Sequence, residues 1–287
     1  MAAACTHNST SHPPSSSCKR IKYCKSPSPY TKNLNNCSRI SLDQDEIWSQ
    51  IRQEAESYME HDPLLSNLYH CAILSHPTLE SALSNHLALK LSTAYVSAAA
   101  LAAAFHAALL ESAAIRLAIR SDLAAVMERD PACCGYAQCF LNFKGFLACQ
   151  AHRLARKFWI DGRAAAALLI QSRVSEVFAV DIHPGAAIGS GIMMDHATGV
   201  VIGETAVVGD GVTILHGVTL GGTGKDGGDR HPKIGDGVMI GAGAKILGNI
   251  VVGPNAKIGA GAVVLKEVPA GATAVGNPAR LVGFRGA

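Results

Sequence analysis

Residues 233–268 read KIGDGVMIGAGAKILGNIVVGPNAKIGAGAVVLKEV. An aliphatic residue returns at every sixth position: Ile234, Ile240, Ile246, Val252, Ile258 and Val264. Four places after most of these comes a second small or aliphatic residue, as at Ala244, Ile250, Ala256, Ala262 and Val268. Glycine often follows directly, at Gly235, Gly241, Gly253 and Gly259. A period of six is neither the 3.6 of a helix nor the 2 of a strand. It belongs to a solenoid of short parallel strands, in which each unit makes one flat face and one corner. The aliphatic residue points inward and the next coil covers it, while glycine suits the tight corner.

Followed backwards, the same rhythm holds Ile202, Val208, Ile214 and Leu220, and before them Ile182, Ile188 and Met194. It breaks twice. Met194 to Ile202 spans eight residues, and Leu220 to Ile234 spans fourteen, the latter holding GGTGKDGGDRHPK. Insertions in a solenoid gather on its working face, so the chemistry is expected at these two breaks.

Outward from the solenoid the pattern changes. Residues 43–178 are poor in proline and rich in Ala, Leu, Glu and Lys, which favours helix. Breaks at Asp62-Pro63, His76-Pro77 and Asp130-Pro131 divide them into several helices, predicting an α-helical bundle. The apolar run Ala94–Leu110 is short and Ala-rich, and reads as a buried bundle helix rather than a membrane span. Residues 1–42 contain six basic residues, nine serines and no acid. That composition suits either a disordered tail or an organelle transit peptide, plastid or mitochondrial. The reading otherwise expects an intracellular soluble protein of the cytosol. The domains expected are therefore 1–42, 43–178, 179–283 and a short end at 284–287.

Composition narrows the function. A net charge of only +3 argues against a dedicated nucleic-acid surface. The nine cysteines include no CxxC pair and none lies beyond Cys149, which disfavours a disulfide framework or a zinc site. The first break carries Asp195 and His196, the second Lys225, Asp229, Arg230 and His231, and Asp181 precedes both. A neutral imidazole is suited to take a proton near neutral pH, best when a carboxylate fixes its tautomer. Asp181 and Asp195 are both candidates for that carboxylate. His216 occupies the corner equivalent to His196 one coil on, and reads as an incidental rim residue. A metal held by His183, His196, His216 and His231 is a rival use of these side chains.

VDIHPGAAIGSGIMMDHATGVVIGETAVVGD (180–210), TLGGTGKDGGDRHPKIGDGVMIGAGAKILGNI (219–250) and AVGNPARLVG (274–283) resemble the hexapeptide-repeat serine acetyltransferases, the plant members closely. ERDPA (128–132) and LNFKGFLACQAHR (141–153) extend the resemblance to residues 45–283. It implies an α+β chain: an N-terminal α-helical bundle followed by a left-handed parallel β-helix. It implies transfer of an acetyl group from acetyl-coenzyme A to L-serine, the first step from serine to cysteine, with acetyl-coenzyme A as co-substrate and no bound cofactor or metal.

By motif, the resemblance assigns His196 as general base with Asp181 as its partner. It assigns Asp130, Asp195, Arg230 and His231 to serine, and Gly222, Ala242 and Lys257 to acetyl-coenzyme A. An anion for the ammonium and a cationic fork for the carboxylate suit a zwitterion. The resemblance further implies homotrimers, or dimers of trimers, with sites between subunits. It implies cysteine synthase (O-acetylserine sulfhydrylase) as a partner that takes up a C-terminal tail ending in Ile. This chain ends at GFRGA, which puts that partnership in doubt. The rival readings are a sugar or antibiotic acetyltransferase, a metal-dependent carbonic anhydrase and a silent scaffold.

Overall fold

A computed structural model describes residues 45–224 and 227–283. Residues 1–42, read as a tail or transit peptide, and the end at 284–287 lie outside the described residues, as does Lys225 in the second break. Among the described residues eight α-helices come first: α1 (Glu46–His61), α2 (Ser66–Tyr69), α3 (Leu79–Leu91), α4 (Ala98–Glu111), α5 (Ala113–Arg129), α6 (Tyr136–Asn142), α7 (Lys144–Ile160) and α8 (Ala164–Phe178). Side chains cap several of them where the sequence offers a short polar residue. Asp45 accepts from the Trp48 N–H, and Thr78 and Ser81 form a reciprocal capping box on α3. The three proline breaks fall at helix ends, after His61, before Leu79 and after Arg129.

The Ala-rich run forms α4 but is not the buried helix its composition suggested. Only Phe105, Ala108 and Leu109 are buried, because alanine can line a half-exposed face at little cost in either direction. Among the described residues no single helix is long and apolar enough to cross a membrane.

From Val180 the chain winds into a left-handed β-helix of three parallel sheets. The first sheet stacks β1 (Val180–Ile182), β4 (Val200–Ile202), β7 (Thr219–Gly221), β10 (Lys245–Leu247) and β13 (Val263–Val264). The second stacks β2 (Ala187–Ile188), β5 (Val207–Val208), β8 (Lys233–Ile234) and β11 (Val251–Val252). The third stacks β3 (Met193–Asp195), β6 (Thr213–Leu215), β9 (Met239–Ile240), β12 (Lys257–Ile258) and β14 (Thr273–Val275). An antiparallel β15 (Arg280–Val282) closes the third sheet on β14.

The register follows the six-residue rhythm: Ile182 lies beside Ile202, Ile202 beside Leu220, and Leu220 beside Ile246. Twelve of the thirteen rhythmic positions are buried; Ile188, in the first coil, is half-buried. Together with Val212, Val218, Ala244 and Ala256 they fill the axis of the solenoid. Each coil therefore supplies the wall that its neighbour's aliphatic residue needs.

The helices are fastened to the solenoid by charge as well as by packing. Asp122 of α5 is buried and accepts from Arg153, Gln150 and the Ile192 N–H. Burial pushes the Asp122 carboxyl up from its ordinary range, and these donors offset that rise only in part. Arg153 also donates to the carbonyls of Ile188 and Gly189, and Arg156 to those of Gly185 and Ala186. Corner carbonyls that have no ladder partner are thereby satisfied.

Candidate active site

Both register breaks fall at corners. The two extra residues of the first make a tight turn between β3 and β4. His196 (φ 55°) and Ala197 (φ 57°) both adopt left-handed backbone there, a conformation that costs a non-glycine residue free energy and gathers at functional positions. The turn is closed by Ala197 N–H to Asp195 O (2.6 Å) and Thr198 N–H to His196 O (2.7 Å). Gly199 N–H ties it to Ala179 O at 2.7 Å. From below, Gly145 of α7 lies against β3: a Cβ there would sit 2.0 Å from Met194 O, so only glycine permits this approach.

The result lifts the His196 side chain clear of the solenoid, 74% exposed, with its Nε2 3.6 Å from Asp195 Oδ2. Its ring stands edge-on to that of His216, centroids 5.8 Å apart. His216 is thus the neighbour of His196, as their equivalent corners on successive coils allow. Backbone bonds from Gly217 N–H to Thr198 O and Gly243 N–H to His216 O stack this corner coil on coil, and Ala242 continues the stack. Lys257 lies on β12 of the adjoining third sheet, exposed.

Asp181 is on β1, two residues beyond the Ala179 carbonyl that anchors the His196 turn. It accepts from Gln171 Nε2 of α8 at 2.7 Å, and no bond between Asp181 and His196 is present among the described residues.

The second break emerges after β7 at a different corner, between the first and second sheets. Thr205 organises it. Its Oγ1 accepts from the Arg230 N–H (3.0 Å) and the His231 N–H (3.1 Å) and lies 2.9 Å from His231 Nδ1. The Thr205 N–H also reaches that nitrogen, at 3.2 Å. A backbone N–H can only donate, so Nδ1 is the acceptor and the ring proton sits on Nε2. Burial, then the Arg230 charge, holds the His231 pKa below the usual histidine value. His231 is therefore a neutral Nε2–H donor. Glu204 Oε2 accepts from Arg230 Nη2 at 2.8 Å, and this pairing keeps the Glu204 carboxyl below the usual range. Lys233 binds the base of the loop, donating to the carbonyls of Thr205 (2.7 Å) and His231 (2.9 Å) and to Asp229. Gly222 opens the loop against Arg230.

Asp130 lies elsewhere again. It caps the C-terminus of α5 and accepts from the Ala132 N–H at 2.8 Å. One copy of the chain thus carries three separate pieces. The third-to-first corner holds Asp195, His196, His216 and Ala242. The first-to-second corner holds Gly222, Arg230 and His231. The end of α5 holds Asp130. The four histidines weighed as metal ligands do not converge: His183 shares the first-to-second corner with His231, and His196 and His216 share the other. Glu204 and Thr205 were missed in the sequence, although their place one coil below the insertion was a usable signal.

A left-handed hexapeptide solenoid with an exposed histidine at a corner insertion defines a class, the hexapeptide-repeat acyltransferases. A model of the serine acetyltransferase N-terminal region matches residues 47–151, and one of bacterial transferase hexapeptides (six repeats) matches residues 231–266. The chain is 62% identical over 241 residues to a chloroplastic serine acetyltransferase of Arabidopsis thaliana, covering 84% of this chain and 77% of that one. It is similar to the soybean serine acetyltransferase structure complexed with serine (58% identity, TM-score 0.81, 82% of this chain and 97% of that one). It is also similar to a Brucella abortus serine acetyltransferase structure in complex with coenzyme A (51%, TM-score 0.82, 85% and 97%). The chain belongs to the serine acetyltransferase family.

Proposed function

We propose that this chain carries out the family's acetyl transfer, from acetyl-coenzyme A to the L-serine hydroxyl, in a site that two copies of the chain complete. The exposure of His196 carries this reading. A general base left 74% open to water is poorly placed for a step that benefits from a desolvated site, and the serine-holding corner lies at the other edge of the first sheet. A neighbouring copy that sets its Arg230–His231 corner against His196 supplies both cover and the missing half. A homotrimer, alone or paired into a hexamer, closes such a head-to-tail contact.

In that site Arg230, held by Glu204, and His231, held by Thr205, bind the serine carboxylate. Asp130 and Asp195 receive the ammonium group. His196 removes the hydroxyl proton as the serine oxygen attacks the thioester carbon, and Asp181 stabilises the imidazolium that forms. Backbone N–H groups near Gly222 stabilise the oxyanion. The intermediate then expels the coenzyme A thiolate, which takes the proton back from His196. Ala242 and Lys257 line the route of coenzyme A.

On this reading the helical part, 43–178, contributes Asp130 and the solenoid, 179–283, the rest. The basic, acid-free composition of residues 1–42 and the chloroplastic name of the Arabidopsis relative support an organelle destination.

Complementation tests the shared site. H196A and R230A are each assayed alone, then after being mixed one to one, dissociated and reassembled. Sites built between copies recover about a quarter of wild-type activity, since one site in four pairs an intact His196 with an intact Arg230. No recovery above the two parents would place the whole site in one chain.

A further inference from the structure

Arg129 ends α5, and its Nη1 reaches across to the solenoid. It donates to Gly191 O (3.1 Å), Gly211 O (2.9 Å) and Thr213 Oγ1 (3.3 Å), spanning two successive coils. Two turns earlier on the same helix face, Asp122 accepts from the Ile192 N–H at 2.8 Å. These two ties grip adjoining residues of one coil from points about 10 Å apart along the helix. With one tie α5 could pivot about Asp122; with two its direction is set.

Asp130 follows Arg129 directly. Its backbone N–H continues the helix to Val126 O (2.9 Å), and its carboxylate is turned by the Ala132 N–H (2.8 Å). Both bonds lie within the Asp130–Ala132 turn and α5 itself, so they shape the turn without locating it on the solenoid. We infer that Arg129 is a positioning residue for substrate: it places the Asp130 carboxylate against the solenoid and so sets serine affinity, without touching serine. The inference rests on the reading of Asp130 as a ligand of the serine ammonium.

Its bonds are suited to the task. A guanidinium donating to neutral oxygens makes charge-assisted hydrogen bonds, stronger than neutral ones, and one nitrogen, Nη1, is shared between oxygens of two coils. A displacement on the order of 1 Å at a positioning group can cost about 10²-fold in rate, so loss of this tie is read first in substrate binding.

The test is a double-mutant cycle with initial-rate kinetics on the purified full chain, using R129M, R129K, D130N and the R129M/D130N pair. R129M should raise KM for L-serine about tenfold with KM for acetyl-coenzyme A within about twofold and a Tm lowered by no more than about 2 °C. R129K should recover part of the loss. Added to D130N, R129M should change KM for serine little further, because both act through one carboxylate. If D130N raises KM for serine but R129M does not, or if their effects multiply, the positioning role is wrong and the Asp130 reading stands. If D130N leaves KM for serine unchanged, the Asp130 reading itself is wrong and the inference falls with it. If R129M lowers Tm by several degrees and raises both KM values alike, Arg129 is only structural.

Discussion

A Cβ placed on Gly203 would lie 2.0 Å from Nε2 of His231 and 2.1 Å from its Cδ2. The imidazole therefore occupies the space a side chain at 203 would fill, and Thr205 holds it there through Nδ1. G203A must displace the ring, since real Cβ contacts do not approach so closely. We expect KM for L-serine to rise about tenfold, the scale of one lost charge-assisted bond of about 1.4 kcal/mol, with KM for acetyl-coenzyme A unchanged. Equal KM values in wild type and G203A would remove His231 from the serine site. His196, Arg230 and His231 were legible in the sequence because the six-residue rhythm stops around them. The left-handed backbone at His196 and the Thr205 hydroxyl were not. The first is a consequence of fitting two extra residues into one corner, and the second depends on which coil stacks beneath the loop.

At the scale of elements, α3 and α7 each bury a histidine. Burial, then Lys90, lowers the pKa of His86 to about 4, and burial, then Arg153, lowers that of His152 to about 3. Both are neutral in the folded chain. Above about pH 6.5 the unfolded chain is also neutral at these positions, and their contribution to stability is fully present. Below it the unfolded chain takes up protons that the folded chain refuses. Stability therefore falls as the pH drops from about 6.5 toward about 4, by roughly 1–2 kcal/mol per histidine by about pH 5. Urea unfolding between pH 7 and pH 5 measures this, and a flat midpoint would mean that the two rings are solvated. The strands were the most legible elements, since twelve of thirteen rhythmic residues are buried. Ile188 departs because it lies in the first coil, on the edge strand β2 of the second sheet. The helices were legible as a class and at their three proline breaks, but not in their number or their attachments. The contact of Arg129 with Gly191 and Gly211 joins residues 62 and 82 positions apart, which no local pattern encodes.

For the whole molecule, the proposed base and the proposed carboxylate-binding pair stand at two corners of the solenoid, and the proposed ammonium-binding acid stands at the end of α5. On the proposed reading catalysis is a property of the assembly, while the family match fixes the reaction. The reading of a sugar acetyltransferase gives way to the match with serine acetyltransferases, and the paired anion and cation sites suit an amino acid zwitterion. His196 is the residue on which the proposed mechanism turns. The most direct test is the initial rate of acetyl-coenzyme A consumption with L-serine in wild type and in H196A, with L-threonine, L-homoserine and a galactoside as competing acceptors. The account predicts turnover with L-serine in the wild type and a loss of about 10²–10⁴-fold in kcat for H196A, the range of general acid–base catalysis. Near-normal turnover by H196A, or wild-type activity confined to the sugar, would contradict it.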